Sequence, residues 1–395
     1  MHAHAIHSRS RRSTTGVRMS ALRMLEADLA GIKISKADEG VTRNQRGVKS
    51  GVTSIRSPLV ELRGLEKSYA GYQSLKGMNL NVPESSIYGL LGPNGAGKST
   101  TFKIIATLLQ PDQGTVLIGG VDGRRYPQRV RALLGYVAQD CGLDKVLTGR
   151  EHLTFQGDLH HLSDVEIRRR SEHLIEIMRM SDWIDRRTGG YSGGMRRRLE
   201  LACSLIHQPR LLLLDEPTVG LDHESRRVIW EMLLELRRQG TSVLFSSHDL
   251  QEVEVLADQV GIIEGGRLIA EGDPSELKAS LGGDRLSLRL REFSTAEEAD
   301  RARTVLTPCR GVRHLVIDPE TGYALHLIVD NPTVIEDVRT KLGQSGLPIF
   351  SLTHSQTSLE DLYLQATGRS LADADRASQA NRNLKAEHRQ AMRRS

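Results

Sequence analysis

The chain has 395 residues, 38% hydrophobic and 26% charged, with a formal net charge of +5. That length allows two folded domains plus tails, and no apolar run is long enough to cross a bilayer, so a membrane role has to run through a partner. Cys141, Cys203 and Cys309 stand at unrelated spacings, which makes neither a disulfide framework nor a metal site and suits a reducing compartment.

Residues 1–56 show little periodicity and read as a flexible basic leader (Arg9, Arg11, Arg12, Arg18). No apolar h-region follows the basic residues, so the leader is not a secretory signal. The basic stretch at 370–395 (Arg389, Arg393, Arg394) reads as a second solvated tail rather than an arm for anionic lipid or nucleic acid, and no nucleic-acid partner is expected.

Pattern begins at Leu59-Val60-Glu61-Leu62-Arg63, which alternates like a strand. Ser86–Leu91 reads as a short buried strand, and Thr100–Ala106 as a helix. Between them, Gly92-Pro93-Asn94-Gly95-Ala96-Gly97-Lys98-Ser99 fits the phosphate-loop pattern G-x-x-x-x-G-K-[ST] without a mismatch. Glycines let the backbone curl so that successive N–H groups face phosphate oxygens, and the helix N-terminus starting near Thr100 adds partial positive charge. Lys98 would reach the β- and γ-phosphates of a nucleotide, and Ser99 would give an oxygen to Mg²⁺.

Further strands are expected at Val116–Ile118, Leu134–Val137, Leu211–Leu214, Ser242–Phe245 and Val260–Ile263, with helical patterns between them. That interleaving predicts an α/β core with a largely parallel sheet. From about 139 to 205 the pattern is mostly helical and predicts a helical subdomain. Leu211-Leu212-Leu213-Leu214-Asp215-Glu216 is an apolar strand ending in two carboxylates. At the carboxyl edge of the sheet Asp215 would hold Mg²⁺, and Glu216 would polarise the attacking water. Tyr191-Ser192-Gly193-Gly194-Met195 opens a basic helical run and offers a second anion cradle at a helix start.

A smaller region over 284–369 reads as β-α-β-β-α-β: strand Leu286–Leu290, helix Ala296–Leu306, strands Val312–Ile317 and Tyr323–Val329, helix Thr333–Leu342, strand Ile349–Leu352. Ser294 with Glu297 fits a capping box, Asn331-Pro332 fits a second helix start, and a closing helix is expected at Leu359–Ala366.

The order of phosphate loop, Gln139 after a strand, Ser192-Gly193-Gly194, Asp215-Glu216, Gly220-Leu221-Asp222 and Ser247-His248-Asp249 resembles an ATP-binding cassette (ABC) ATPase over 57–283. The run Tyr191–Leu199, together with Ser358–Arg369, is similar to the daunorubicin-resistance and nodulation-export types. The resemblance implies a P-loop NTPase core with a helical subdomain plus a small α+β C-terminal domain. It implies that Tyr69 stacks on adenine, with Tyr72 as rival, that Gln139 meets Mg²⁺ and water, that His248 contacts the γ-phosphate, and that Asp222 communicates across a dimer. The implied machine is two copies sandwiching two ATP molecules, docked on a separately encoded integral-membrane permease at the cytoplasmic face of the membrane. A hydrophobic drug or secondary metabolite is the implied cargo; the runner-up is an ATPase acting on a ribosome, DNA or an iron–sulfur scaffold. Met195 stands where the family usually has glutamine, which weakens polar contacts at that point.

Overall fold

A computed structural model describes residues 58–139, 142–292, 294–319 and 321–377. The basic leader, Cys141 and the arginines at 389, 393 and 394 lie outside the described residues.

The central sheet has six strands in the order β10-β9-β3-β8-β7-β6, built from β3 (Ile87–Leu91), β6 (Leu134–Val137), β7 (Leu211–Asp215), β8 (Ser242–Ser247), β9 (Gln259–Glu264) and β10 (Arg267–Gly272). All neighbours are parallel except the β9–β10 hairpin. Strands buried on both faces read as unbroken apolar runs, and side-chain alternation then sorts them between two cores. Leu212 and Leu214 of β7 join Val243 and Phe245 of β8 on one face, while Leu211 and Leu213 join Leu244 on the other. The parallel order sets the carboxyl ends of β3, β6, β7 and β8 on one edge, where the predicted site residues follow.

A second, antiparallel sheet in the order β2-β1-β4-β5 comprises β1 (Pro58–Tyr69), β2 (Tyr72–Pro83), β4 (Gln113–Ile118) and β5 (Val121–Asp122). Helix α1 (Lys98–Ile105) packs its Phe102, Ile104 and Ile105 among Leu62, Leu80 and Val116 of this sheet. Strand β2 was not foreseen. Its sign is the two-residue turn Ala70-Gly71, both with positive φ, which pairs Tyr69 with Tyr72 as a tight hairpin does.

After the short α2 (Pro127–Ala132) and β6 comes the helical insert. Helix α3 (Gly149–Leu159) is capped by a Thr148–Glu151 box, and α4 (Asp164–Ile177) by a Ser163–Glu166 box. Helix α5 (Gly193–Leu205) returns the chain to β7; α6 (His223–Arg238) and α7 (Leu250–Leu256) link the following strands.

Helix α8 (Pro274–Leu281) leads into β11 (Asp284–Arg289), α9 (Ala296–Leu306), β12 (Val312–Asp318), β13 (Ala324–Val329), α10 (Val334–Gln344) and β14 (Ser351–Gln356). Their sheet runs β12-β13-β11-β14, antiparallel throughout, over a core of Leu286, Leu288, Leu325, Leu327, Leu306 and Leu342. Three local expectations shift here. Thr295 with Glu298 forms the capping box, while Ser294 accepts a hydrogen bond from the Arg291 amide. Asn331 accepts from the Thr333 amide in a turn before α10 rather than capping it. The last strand begins at Ser351, two residues later than its apolar residues suggested.

The reading of everything from 370 onward as solvated tail does not hold for residues 371–377, which are helical. Helix α11 (Leu359–Thr367) and this turn leave the small domain and pack on the main core, with Leu359, Tyr363, Leu371 and Ala374 buried there. The Tyr363 hydroxyl and the Arg369 guanidinium both donate to the Glu264 carboxylate at the end of β9 (2.6 and 2.5 Å). The apolar positions at 359, 363, 371 and 374 outweigh the polar composition around them.

Candidate active site

The phosphate loop leaves β3 at Gly92, whose amide donates to the Ser247 carbonyl (3.3 Å), and enters α1 through Gly97. Gly97 sits at φ 116°, and a Cβ there would lie 2.9 Å from the Ser74 carbonyl oxygen, so both backbone conformation and space require glycine. Lys98 is buried, and its ammonium donates to the carbonyls of Gly92 (2.5 Å) and Pro93 (3.3 Å) and lies 3.7 Å from Glu216 Oε1. Ser99 and Thr100 are half-buried in the first turn of α1, with the Thr100 hydroxyl 3.0 Å from that of Ser74. Tyr72, not Tyr69, touches the loop: its hydroxyl donates to the Gly95 carbonyl (3.2 Å). Tyr69 stands at the end of β1 with 44% of its surface exposed.

Glu216 gathers the other predicted groups. Gln139 Nε2 donates to its Oε2 (3.1 Å), and His248 Nδ1 lies 3.5 Å from its Oε1. At that distance the contact is electrostatic, an ion pair when the imidazole is protonated, and Nδ1 has no hydrogen-bond partner among the described residues. Asp215 is buried and accepts from Ser246 Oγ (2.6 Å), which in turn accepts from the Glu216 amide (3.0 Å). Glu216 itself holds a left-handed backbone, φ 50°, a conformation that costs a non-glycine residue about 1–2 kcal/mol.

Charges in this cluster bias one another. The neighbouring His248, and then Lys98, hold the Glu216 carboxyl below its ordinary range against the opposing effect of burial. The Glu216 carboxylate in turn raises His248 above the ordinary value of 6.5. Burial pulls the Lys98 ammonium down, and nearby carboxylates, Glu216 first, resist the pull. Glu216 is thus ionised at neutral pH and able to accept a proton. The sign for His248 follows: the pair's contribution to folding is full below pH 6.5 and fades as pH rises through the raised folded value. In Glu216→Gln the His248 midpoint is expected to fall, which an NMR titration of the imidazole would show; an unchanged midpoint would refute the pairing.

Ser192 caps α5, its hydroxyl accepting from the Met195 amide (3.2 Å). Met195 Sδ accepts weakly from the Ser192 amide (3.5 Å), where a glutamine amide would have been expected to act. Gly194 packs on Ser225; a Cβ there would meet Ser225 Oγ at 2.2 Å. Ser225 is tied to Asp222, which caps α6 by accepting from its amide and hydroxyl (2.8 and 2.9 Å). None of the hydrogen bonds of Ser192 or Asp222 reaches the phosphate loop of the same chain.

Three residues in the cluster were not foreseen. Arg197 is buried beneath Glu216 and donates to main-chain carbonyls on both catalytic loops. The sequence reads it only as part of a basic helical run, with nothing to set it apart from Arg196 and Arg198. Ser246 reads locally as an ordinary strand residue. Asp375 accepts from the Asn94 amide (2.5 Å) in the phosphate loop, and nothing near it in sequence announces that contact.

The oxygen donors at this edge, Ser99, the Gln139 amide and Asp215, are hard ligands. They suit Mg²⁺, which keeps waters and completes its shell with substrate phosphates. Among the described residues no group of three or more His, Cys, Asp or Glu forms a cage by itself.

The ABC transporter family profile matches residues 75–219. The sequence is 41% identical over 310 residues to the daunorubicin/doxorubicin resistance ATP-binding protein DrrA of Streptomyces peucetius, spanning 78% of this chain and 92% of that one. It is 33% identical over 318 residues to Nod factor export ATP-binding protein I of Ralstonia nicotianae, spanning 80% and 96%. A dimeric ATP-binding cassette in a post-hydrolysis state, bound to ADP and Pi, superposes with a TM-score of 0.51 at 25% identity, covering 54% of this chain and 98% of that one.

Proposed function

Because the chain belongs to the ABC transporter family as an ATP-binding subunit, we propose that it drives export of a hydrophobic drug or secondary metabolite through a separate integral-membrane permease. The observation that carries the catalytic part is the convergence of Lys98, Gln139 and His248 on the carboxylate of Glu216.

In this reading the loop amides from Gly92 to Thr100 hold the phosphates, and Lys98 bridges the β- and γ-phosphate oxygens. Tyr69 offers its exposed ring to adenine. Mg²⁺, held by Ser99, Asp215 and Gln139 together with the phosphates, would neutralise charge gathering on the phosphate oxygens. Glu216 takes a proton from water as that water attacks the γ-phosphorus in line with the departing ADP oxygen. Gln139 orients the same water, and His248 faces the γ-phosphate. Catalysis is then positioning plus charge stabilisation, with little covalent work for the protein.

Ser192, Gly193 and Gly194 serve the nucleotide of a second copy, and Asp222 links the two sites. ATP bridges the dimer, and hydrolysis removes the bridge. On the permease side, the helical insert exposes Phe155, Leu159 and Val165, and it shares in a cavity of about 370 Å³ lined by Tyr136, Val137, His152 and His207. That cavity borders the strand leading to Gln139. No helix among the described residues is long and apolar enough to cross a membrane. The full chain, purified from detergent extracts of its own cells, is expected to bring down an integral-membrane protein that raises its ATPase rate. Recovery only with ribosomes, DNA or iron–sulfur proteins would return the soluble alternative.

A further inference from the structure

We propose that Arg197 is a positioning residue that aims Glu216 and Gln139 and ties both to the helix carrying Ser192. The proposal rests on the reading of Glu216 as the base. Arg197 Nε donates to the Pro217 carbonyl (3.0 Å), and Nη2 to those of Asp215 (2.9 Å) and Glu216 (3.3 Å). Nη1 donates to the Ala138 carbonyl (2.6 Å), one residue before Gln139, and to Glu200 (3.3 Å). One planar fork thus holds three successive carbonyls around the left-handed Glu216 and the end of the strand that presents Gln139. A buried arginine used only for packing would not need its acceptors on the two loops that carry the chemistry. Lysine, a point donor, cannot span them. Arg197 lies in the second turn of α5, so any shift of the Ser192 end is felt at Glu216.

The test uses Arg197→Lys and Arg197→Ala in the full chain, read against Glu216→Gln. ATP affinity is expected to stay within about threefold while turnover falls by at least about 30-fold, a loss of transition-state rather than uniform binding. Ethylguanidine should restore part of the turnover of Arg197→Ala, the His248 midpoint should fall, and Arg197→Lys should add almost nothing to the loss in Glu216→Gln. Near-parental turnover of Arg197→Lys, or affinity lost in step with turnover and no ethylguanidine rescue, would overturn the proposal. Full turnover of Glu216→Gln would instead refute the base.

From a separate observation, we infer that Asp375 competes with nucleotide phosphate for the phosphate loop, making residues 359–377 a built-in competitor. Its carboxylate accepts from the Asn94 amide, so the loop already holds an anionic oxygen of the kind it would offer a phosphate. The helical turn that delivers it is capped, the Ser370 hydroxyl accepting from the Asp373 amide (3.1 Å) and donating to the Asp373 carboxylate (2.6 Å). Upstream, Tyr363 and Arg369 fasten the segment to Glu264, two residues before Gly266, whose amide donates to the Ala96 carbonyl of the loop (2.9 Å). Asp375 also bears electrostatically on Lys98 and His248. In the full chain, Asp375→Asn and Asp375→Ala are each expected to bind a fluorescent ATP analogue at least about threefold more tightly, the gain expected when a competing minor state is removed. The Michaelis constant should fall in step with the tighter binding. Unchanged or weaker affinity in both variants would overturn the inference.

Discussion

Glu216→Gln is expected to bind ATP as well as the parent chain and hydrolyse it at least about 100-fold more slowly, a rise of about 2.7 kcal/mol in the barrier. The exchange keeps size and one acceptor oxygen, so Gln139 can retain a partner, and the backbone amide keeps its bond to Ser246 Oγ. What goes is the ionised oxygen that accepts the proton of water, and with it the charge shared with Lys98 and His248. ATP should then accumulate in the variant together with a stable dimer. Phosphate release measures the first effect, and gel filtration with and without ATP the second. Near-normal turnover would remove Glu216 from the role of base.

Lys98→Ala should act one step earlier, on binding. Charge-assisted hydrogen bonds contribute about 1.5–3 kcal/mol each, so loss of the ammonium should weaken ATP binding about 10- to 100-fold. The variant also leaves Glu216 beside one cation fewer in a partly desolvated site, which should raise its carboxyl and reduce the ionised fraction. Titration with a fluorescent ATP analogue separates this outcome from that of Glu216→Gln, where affinity holds. Parental affinity in Lys98→Ala would mean that the loop amides alone carry the phosphates.

Legibility in the sequence follows how local each constraint is. The phosphate loop could be read because glycine spacing, the lysine and the flanking strand lie within twenty residues. The β7 leucines could be read because a strand buried on both faces needs an unbroken apolar run. The parallel edge that gathers Lys98, Gln139, Glu216 and His248 was implied by alternating strands and helices, though no local pattern states which strands are neighbours. Strand β2 escaped because Lys76 and Gly77 put two positions between the buried Leu75 and Met78 and break its alternation, which resumes at Leu80 and Val82. Arg197 escaped because burial separates it from two identical neighbours, and composition cannot. Asp375 escaped because its partner lies 281 positions away.

The return of α11 to the main core has a consequence for how this gene can change. Helix α8, where the chain departs, packs against α11, where it comes back, and the Thr357 hydroxyl donates to the Lys278 carbonyl (3.5 Å). The four-stranded domain is therefore a closed excursion with adjacent exit and re-entry points. Lengthening such a loop costs little, about 0.6 kcal/mol per doubling. Recombination can accordingly lengthen the outer loops of residues 284–356 without moving the nucleotide edge, whereas an exchange has to keep Arg285, which pairs with Glu360 and Asp361 of α11 (3.6 and 3.1 Å) and so helps hold the segment that carries Asp375.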